Sequence, residues 1–242
     1  MPMSHPLLAK FSREADLSDA EQAALSRISC TIERVMAGES VAWAGDRPSR
    51  CFLILEGLLS TSKAVPDGGV QIMAFHIPGD MPDLNSLHLD VLDSDVAAVT
   101  DCRLAFVAHQ DLRELCAEHP RLAGLLWRVT LVDAAIYREW VVNVGQRPAI
   151  NRLAHLLCEM MARMEALGLA QDGSCHLGLT QQHLSEATGL SAVHLNRTLQ
   201  DLRAMRLVSF GQGRLTVHDW DGLKGIADFR ADYLHLPAAR AA

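Results

Sequence analysis

The sequence has no C-x-x-C pair; its cysteines stand singly at Cys30, Cys51, Cys102, Cys116, Cys158 and Cys175. Thiols scattered in this way neither gather into a zinc site nor read as a secreted disulfide framework, so a reducing cytoplasm is the simple expectation. The opening stretch, MPMSHPLLAKFSREADLS, lacks a basic segment followed by an apolar core, and no signal peptide is expected. No apolar run reaches membrane-spanning length, since the longest helical candidate carries Arg128, Asp133, Arg138 and Glu139. A Walker loop, a G-x-S-x-G, an H-E-x-x-H and any close His/Cys/acid set are all missing, so an enzyme is not expected. Positive charge is scarce as well: 22 Lys+Arg face 29 Asp+Glu, a formal net charge of −7. That deficit belongs to residues 1–100, with 7 basic and 14 acidic side chains, while residues 101–242 hold 15 of each. The second part is therefore free to present a locally positive patch to a nucleic acid.

What is present changes in texture along the 242 residues, which are enough for two separate cores. Ser18 followed by Glu21 has the pattern of a capping box and predicts that the chain opens with a short helix, with Ala24, Leu25 and Ile28 inward. Short strand-like runs then follow over 34–36, 41–43, 51–55, 58–64, 70–76 and 96–107. They are punctuated by Gly38, Gly45-Asp46, Glu56-Gly57, Asp67-Gly68-Gly69 and Pro78-Gly79-Asp80, which predicts a β-roll or jelly-roll barrel.

After a short helix over 109–117, Pro120 opens a long one. Leu122, Leu125, Val129, Val132, Ile136, Trp140 and Asn143 recur there at spacings of three and four, a narrow apolar seam. Roughly 22 residues at ~1.5 Å rise make about 33 Å of helix. A seam of this shape suits a coiled-coil partner, and Leu122, Leu125, Val129, Val132, Ile136 and Trp140 are the expected dimerisation residues. The other reading is a helix packed wholly within one subunit. Gly145-Gln146-Arg147-Pro148 interrupts the pattern and marks a boundary. The expected division is a β-roll sensory domain over 1–118, a dimerisation helix over 119–145 and a third segment over 146–242.

That third segment begins with an amphipathic helix carrying Ile150, Leu153, Ala154, Leu157, Met161 and Met164, and a short strand is predicted over 176–179. Residues 179–203, LTQQHLSEATGLSAVHLNRTLQDLR, read as a helix-turn-helix. Thr180 caps the first helix, Leu184 and Ala187 form its apolar stripe, and Gly189 ends it. Ser191 caps the second helix, whose Leu195, Leu199 and Leu202 should pack inward. Ala192, Val193, Asn196, Arg197 and Gln200 lie on the opposite face. Short, polar and cationic side chains on an outward face suit the major groove, where Arg reaches guanine and Asn reaches adenine; the alternative is two helices of an ordinary bundle. Within 179–218, Arg197, Arg203, Arg206 and Arg214 outnumber Glu186 and Asp201. Around Gly211-Gln212-Gly213, residues 205–219 alternate apolar and polar, as a two-stranded ribbon would. Asp219 then caps a final helix with Trp220, Leu223, Ile226 and Phe229 inward, and 237–242 reads as a frayed tail.

A helix-turn-helix flanked by such a ribbon, or wing, resembles the Crp/Fnr family of bacterial transcription regulators, above all in the segment GLSAVHLNRTLQDLR. The glycine placement of the first part resembles that family's cyclic-nucleotide-binding-like sensory domain, so the resemblance covers nearly the whole chain. It implies an α+β protein: a β-roll, a long dimerisation helix and a C-terminal winged helix-turn-helix. It also implies a cytoplasmic homodimer on a palindromic operator in double-stranded DNA, with RNA polymerase as a candidate partner. The family recognition pattern Ser-Arg-Glu-Thr-Val-x-Arg is matched at Ser191 and Arg197, but its base-reading Arg and Glu have become Ala192 and Val193. These touch a thymine methyl and cannot hydrogen-bond G or C, which leaves Arg197 and Asn196 as the expected base readers. Thr180, Gln181, Gln182 and Ser191, at helix N-termini, are expected on phosphates, His194 on a phosphate or in the groove, and Gln200 on the DNA-facing side of the second helix.

In the sensory half the sequence departs from the cyclic-nucleotide-binding members. Asp83 stands near their ribose-binding Glu, but Pro82 replaces the neighbouring glycine and 92–95 fills the place of the phosphate-binding Arg. Between Arg50 and Arg103 the only cation is Lys63, whereas Asp80, Asp83, Asp90, Asp93 and Asp95 crowd the segment. A cyclic phosphate would meet like charge there, so calorimetric titration should show no micromolar affinity for cyclic AMP. Residues 1–29 hold no cysteine for an iron–sulfur cluster. His76 or His88 could serve as a haem ligand, and Asp83, Asp90, Asp93 and Asp95 with His88 could hold a divalent metal; each is more simply an ordinary residue. No cofactor is assigned. If a signal is sensed through the barrel and the long helix, Trp127, Tyr137 and Trp140 could report the change. The rival reading is a ligand- or redox-sensing module whose C-terminal domain makes protein contacts instead of binding DNA.

Overall fold

The computed structural model describes residues 5–66 and 68–236. Two helices open the chain where one was expected: α1 (Pro6–Glu14) and α2 (Asp19–Arg27). The signal for α1 is a proline in its first turn and Leu7 and Phe11, its buried residues, one turn apart. α2 opens with a complete capping box, in which Glu21 Oε2 accepts from Ser18 N at 2.7 Å and Ser18 Oγ accepts from Glu21 N at 3.4 Å.

The strands that follow are β1 (Thr31–Val35), β2 (Ser40–Ala42), β3 (Arg50–Glu56), β4 (Leu59–Ala64), β5 (Val70–His76), β6 (Asp95–Ala98) and β7 (Cys102–Ala108), with a 3₁₀ turn over Leu84–Leu87 before β6. The single run expected over 96–107 is split between β6 and β7. Thr100 and Asp101 leave the ladder there to accept from the backbone N–H groups of Leu58 (2.9 Å) and Ala37 (3.0 Å). One sheet has the order β1-β7-β3 and the other β2-β6-β4-β5. Strand alternation then sorts the core. Phe52, Ile54, Leu104 and Phe106 pack with Leu59, Val96 and Ala98 of the second sheet. Cys51, Leu53, Ala105 and Val107, on the opposite face, pack with Leu7, Phe11, Leu25, Leu112 and Leu122 of the helices.

Helix α3 (His109–Glu118) leads into α4 (Pro120–Gln146), whose 27 residues make about 40 Å of helix. Most of the residues expected at the dimerisation seam are covered within the single chain. Leu122 and Val129 belong to the chain's own core and Leu125 packs against it, Val132 is half-buried, and Ile136 and Trp140 are buried. The open stripe lies on the other side, at Gly124, Trp127, Leu131, Ala134, Arg138, Val141 and Gly145, again spaced by three and four. Trp127 is 67 % exposed, Leu131 52 % and Val141 73 %. The helix is apolar on two faces, and the one read from the sequence is covered by its own chain.

Contacts divide the chain into two compact units, Met1–Thr61 with His76–Ala134, and Ser62–Phe75 with Ala135–Ala242. The second unit contains α5 (Ala149–Ala166), β8 (Ala170–Gln171), β9 (Ser174–His176), α6 (Gln181–Thr188), α7 (Ala192–Ala204), β10 (Val208–Gly211), β11 (Arg214–Val217), α8 (Trp220–Ala227) and a 3₁₀ turn over Ala231–Leu234. Its sheet runs β10-β11-β9-β8. The strand predicted over 176–179 is instead β9; Leu177 and Gly178 turn away to donate to Gly213 O at 2.7 and 3.0 Å. Asp219 caps α8 through Gly222 N at 2.9 Å. The stretch 237–242, read as a frayed tail, lies outside the described residues.

At the centre of this unit Glu159 of α5 is fully buried. Trp140 Nε1 donates to its two oxygens at 3.0 and 3.1 Å, Tyr233 OH donates at 2.7 Å, and the Arg163 guanidinium lies 3.5 Å away. Burial pushes the Glu159 carboxyl up, against the pull of Arg163 and the hydrogen bonds from Tyr233 and Trp140. The residues that hold it come from α4, α5 and the C-terminal turn, so one buried carboxylate ties those elements together.

Candidate nucleic-acid interface

The interface is built from α6, α7 and the ribbon β10–β11. Thr180 caps α6: its Oγ1 accepts from His183 N at 3.2 Å, and its own N–H donates to His183 Nδ1 at 3.2 Å. That second bond needs a lone pair on Nδ1, and burial accordingly holds His183 below the ordinary imidazole range. Gly189 closes α6 at φ 66, the left-handed conformation that a side chain would strain. Ser191 caps α7 by accepting from His194 N at 3.3 Å. Leu195, Thr198, Leu199 and Leu202 are the buried residues of α7 and seat it on the unit's core.

With that face inward, Ala192, Val193, His194, Asn196, Arg197 and Gln200 are exposed on α7, Val193 at 82 %. Thr180, Gln181, Gln182 and Ser191 are exposed at the two helix starts. Gln182 Nε2 donates to Glu186 Oε1 at 2.9 Å, which leaves its carbonyl outward. The ribbon turns tightly at Gln212 (φ 52) and Gly213 (φ 72), both at positive φ as a two-residue hairpin loop requires. A Cβ on Gly213 would stand 2.8 Å from Gly178 Cα, so glycine is also needed there for close approach. An open groove of about 490 Å³ runs between ribbon and helix start, lined in part by His176, Thr180, Gln181 and Gln212. Gln212 was expected only as part of the ribbon turn, and His176 not as a groove residue, because the register β9 to β11 that brings His176 here is not a local property.

Among the basic side chains, Arg197 and Arg206 are exposed. Arg214 is exposed and donates to Ser174 Oγ at 3.3 Å. Arg203, counted from the sequence as part of the same patch, is half-buried and donates to Phe210 O, pinning β10 to α7.

Comparison with known families places these elements. The model of the Crp-like helix-turn-helix domain matches residues 151–226, and that of the cyclic nucleotide-binding domain matches residues 32–119. The chain belongs to the Crp/Fnr family. The transcriptional activator protein FnrL of Cereibacter sphaeroides is 23 % identical over 188 residues, 76 % of this chain and 75 % of FnrL. The nitrogen fixation regulation protein FixK of Bradyrhizobium diazoefficiens is 27 % identical over 184 residues, 76 % of each chain. The structure of FixK2 from Bradyrhizobium japonicum superposes with a TM-score of 0.75 at 22 % identity, over 88 % of this chain and all of that one. This Crp/Fnr member is thus a transcription regulator with a helix-turn-helix DNA-binding domain, in a family of regulators and not of enzymes. No helix among the described residues is long and apolar enough to cross a membrane.

The first part of this Crp/Fnr regulator, where the cyclic nucleotide-binding model matches, puts several of its acids to structural use. Asp83 is buried, and its Oδ1 accepts from Phe52 N of β3 at 3.0 Å. Burial pushes its carboxyl up to about 7, against that hydrogen bond. Asp80 Oδ2 accepts from Ile77 N at 2.9 Å and Asp95 Oδ1 from Ala44 N at 2.8 Å, each holding a turn. Asp90 and Asp93 are exposed, as is His88. His76 is buried and shares a 2.7 Å hydrogen bond with Thr61 Oγ1. All six cysteines are free.

Proposed function

We propose that the regulator acts in the cytoplasm as a homodimer on a palindromic operator, read through the outer face of the helix Ser191–Arg203, with RNA polymerase as its protein partner. The observation that carries this reading is the exposure of Asn196, Arg197 and Gln200 on a helix whose other face is buried in the domain. Thr180, Gln181, Gln182 and Ser191 hold phosphates from the two helix starts, where hydroxyls, amides and free backbone N–H groups converge. His194 lies beside them, and Ala192 and Val193 meet thymine methyls. The dimer forms along the open stripe of α4, a repeat of three and four that suits a two-stranded coil. A two-fold axis there sets two recognition helices about 34 Å apart, one turn of duplex.

The effector is a molecule other than a cyclic nucleotide, or none. Asp83, the nearest counterpart to a ribose-binding Glu, is committed to the β3 backbone, and Lys63 is the only cation between Arg50 and Arg103. Selection of bound duplexes from a random pool, followed by gel shifts at two salt concentrations, tests the main reading. Arg197→Ala is expected to cost about 1–3 kcal/mol on the selected operator and to relax preference at one base pair per half-site. An equal loss on every duplex would make Arg197 a phosphate contact instead.

A further inference from the structure

The end of α6 poses a hydrogen-bond accounting problem, because the last carbonyls of a helix have no partner within it. Leu184 O accepts from Thr188 Oγ1 at 2.6 Å, and Ser185 O accepts from the backbone N–H groups of Gly189 and Leu190. Ala187 O and Thr188 O, on residues that are 2 % and 0 % exposed, are supplied from outside the motif. Thr188 O accepts from Arg152 Nη1 of α5 at 2.7 Å, and the same guanidinium donates to Arg147 O at 3.1 Å. Ala187 O accepts from Gln71 Nε2 at 3.2 Å.

Gln71 is not part of the DNA-binding domain by sequence. It lies on β5, within residues 32–119 that match the cyclic nucleotide-binding model, and is separated from Ala187 by 116 positions. β5 is held a second time, four residues on: Phe75 O accepts from Arg163 Nη1 at 2.8 Å, and the Phe75 ring, on the same strand face as Gln71, meets Trp140 edge-on at 5.9 Å. A Cβ on Gly189 would come within ordinary contact of Gln71 Oε1 (3.7 Å), Val144 Cγ1 (3.7 Å) and Arg152 Nη1 (3.8 Å), so all three side chains border the turn between α6 and α7.

We propose that Gln71 is a positioning residue for DNA recognition: a side chain from the sensory segment closes the end of α6 and thereby fixes the turn from which α7 departs. Gln71 touches no base. It acts through the angle of the recognition helix, so its loss lowers sequence-specific binding and leaves the phosphate-driven part alone. The inference rests on the proposal that α7 reads the operator.

The test compares full-length wild type, Gln71→Ala and Gln71→Glu on the selected operator and on a random duplex, by fluorescence anisotropy at fixed salt. Glu has the shape of Gln but turns a carboxylate toward Ala187 O. Both variants should lose about 5- to 10-fold on the operator, the effect of one part-buried hydrogen bond, with affinity for the random duplex unchanged. Hydrogen exchange at the amides of Gly189 to Ser191 should be faster in both, and Gln71→Asn should leave the loss uncorrected because its amide is one methylene short. Unchanged operator affinity, tighter binding, or parallel loss on both duplexes would overturn the proposal. If these results come with a normal Arg197→Ala defect, the operator reading stands and only the role of Gln71 falls. If wild type itself binds no duplex, both fall.

Discussion

Leu131→Glu should turn the regulator into a folded monomer. In the single chain Leu131 is 52 % exposed, between Trp127 one turn before it and Val141 further along the same stripe, so a carboxylate there meets water and the fold is kept. In the proposed dimer it meets its two-fold copy across a dry seam, where two like charges are neither solvated nor paired. Gly124 and Gly145 have nothing within 4 Å of an added Cβ, and they let the two backbones approach at either end of the stripe. Arg138, exposed in the single chain, breaks the stripe; in the proposed dimer its aliphatic stem can lie along the seam with its head in solvent. A monomer keeps one recognition helix and loses the second, tethered contact, so operator affinity should fall by at least about 100-fold. Light scattering on the eluting peak checks the mass, and the same gel shift checks the affinity. A dimer that survives Leu131→Glu places the interface elsewhere.

Asp83→Asn should change the pH dependence of stability of the first part of the chain. Burial raises the Asp83 carboxyl to about 7 in the folded protein, from an ordinary value of 3.8. Between these two values the folded chain holds a proton that the unfolded chain has released. Unfolding therefore releases it, and stability falls as pH rises from about 3.8 to about 7, then levels off. Integrated over that window the loss is at most about 4 kcal/mol. Asn keeps an acceptor for Phe52 N and carries no charge, so the variant lacks this descent. It should match wild type near pH 4 and exceed it at pH 8, in urea unfolding at both values. Parallel curves would mean that the buried carboxylate is relieved by some other group.

How much could be read in advance differs from element to element. The Ser18–Glu21 box, the caps at Thr180, Ser191 and Asp219, and the glycine turn of the ribbon were all legible, because each signal and the backbone group it serves lie within three residues. Helix α1 was overlooked although Pro6, Leu7 and Phe11 carried its signal. The break between β6 and β7 was hidden because Thr100 and Asp101 serve backbone groups of Leu58 and Ala37, both remote in sequence. Arg203 looked like part of a basic patch for the same reason: Phe210 O, which holds it, belongs to another element.

Periodicity and capping determined on their own that this chain makes a strand-rich first part, a long helix and a helix-turn-helix with a ribbon, since those patterns are written in neighbouring residues. Tertiary structure alone decided which apolar stripe of α4 stays open. Leu122, Val129 and Ile136 on one side and Trp127, Leu131 and Val141 on the other obey the same spacing, and spacing names a face without naming what covers it. It decided, too, that Asp83 turns to the backbone of β3 and that Gln71 closes the end of α6. Those are bonds between distant segments, whose geometry exists only once the core has brought the strands and helices together.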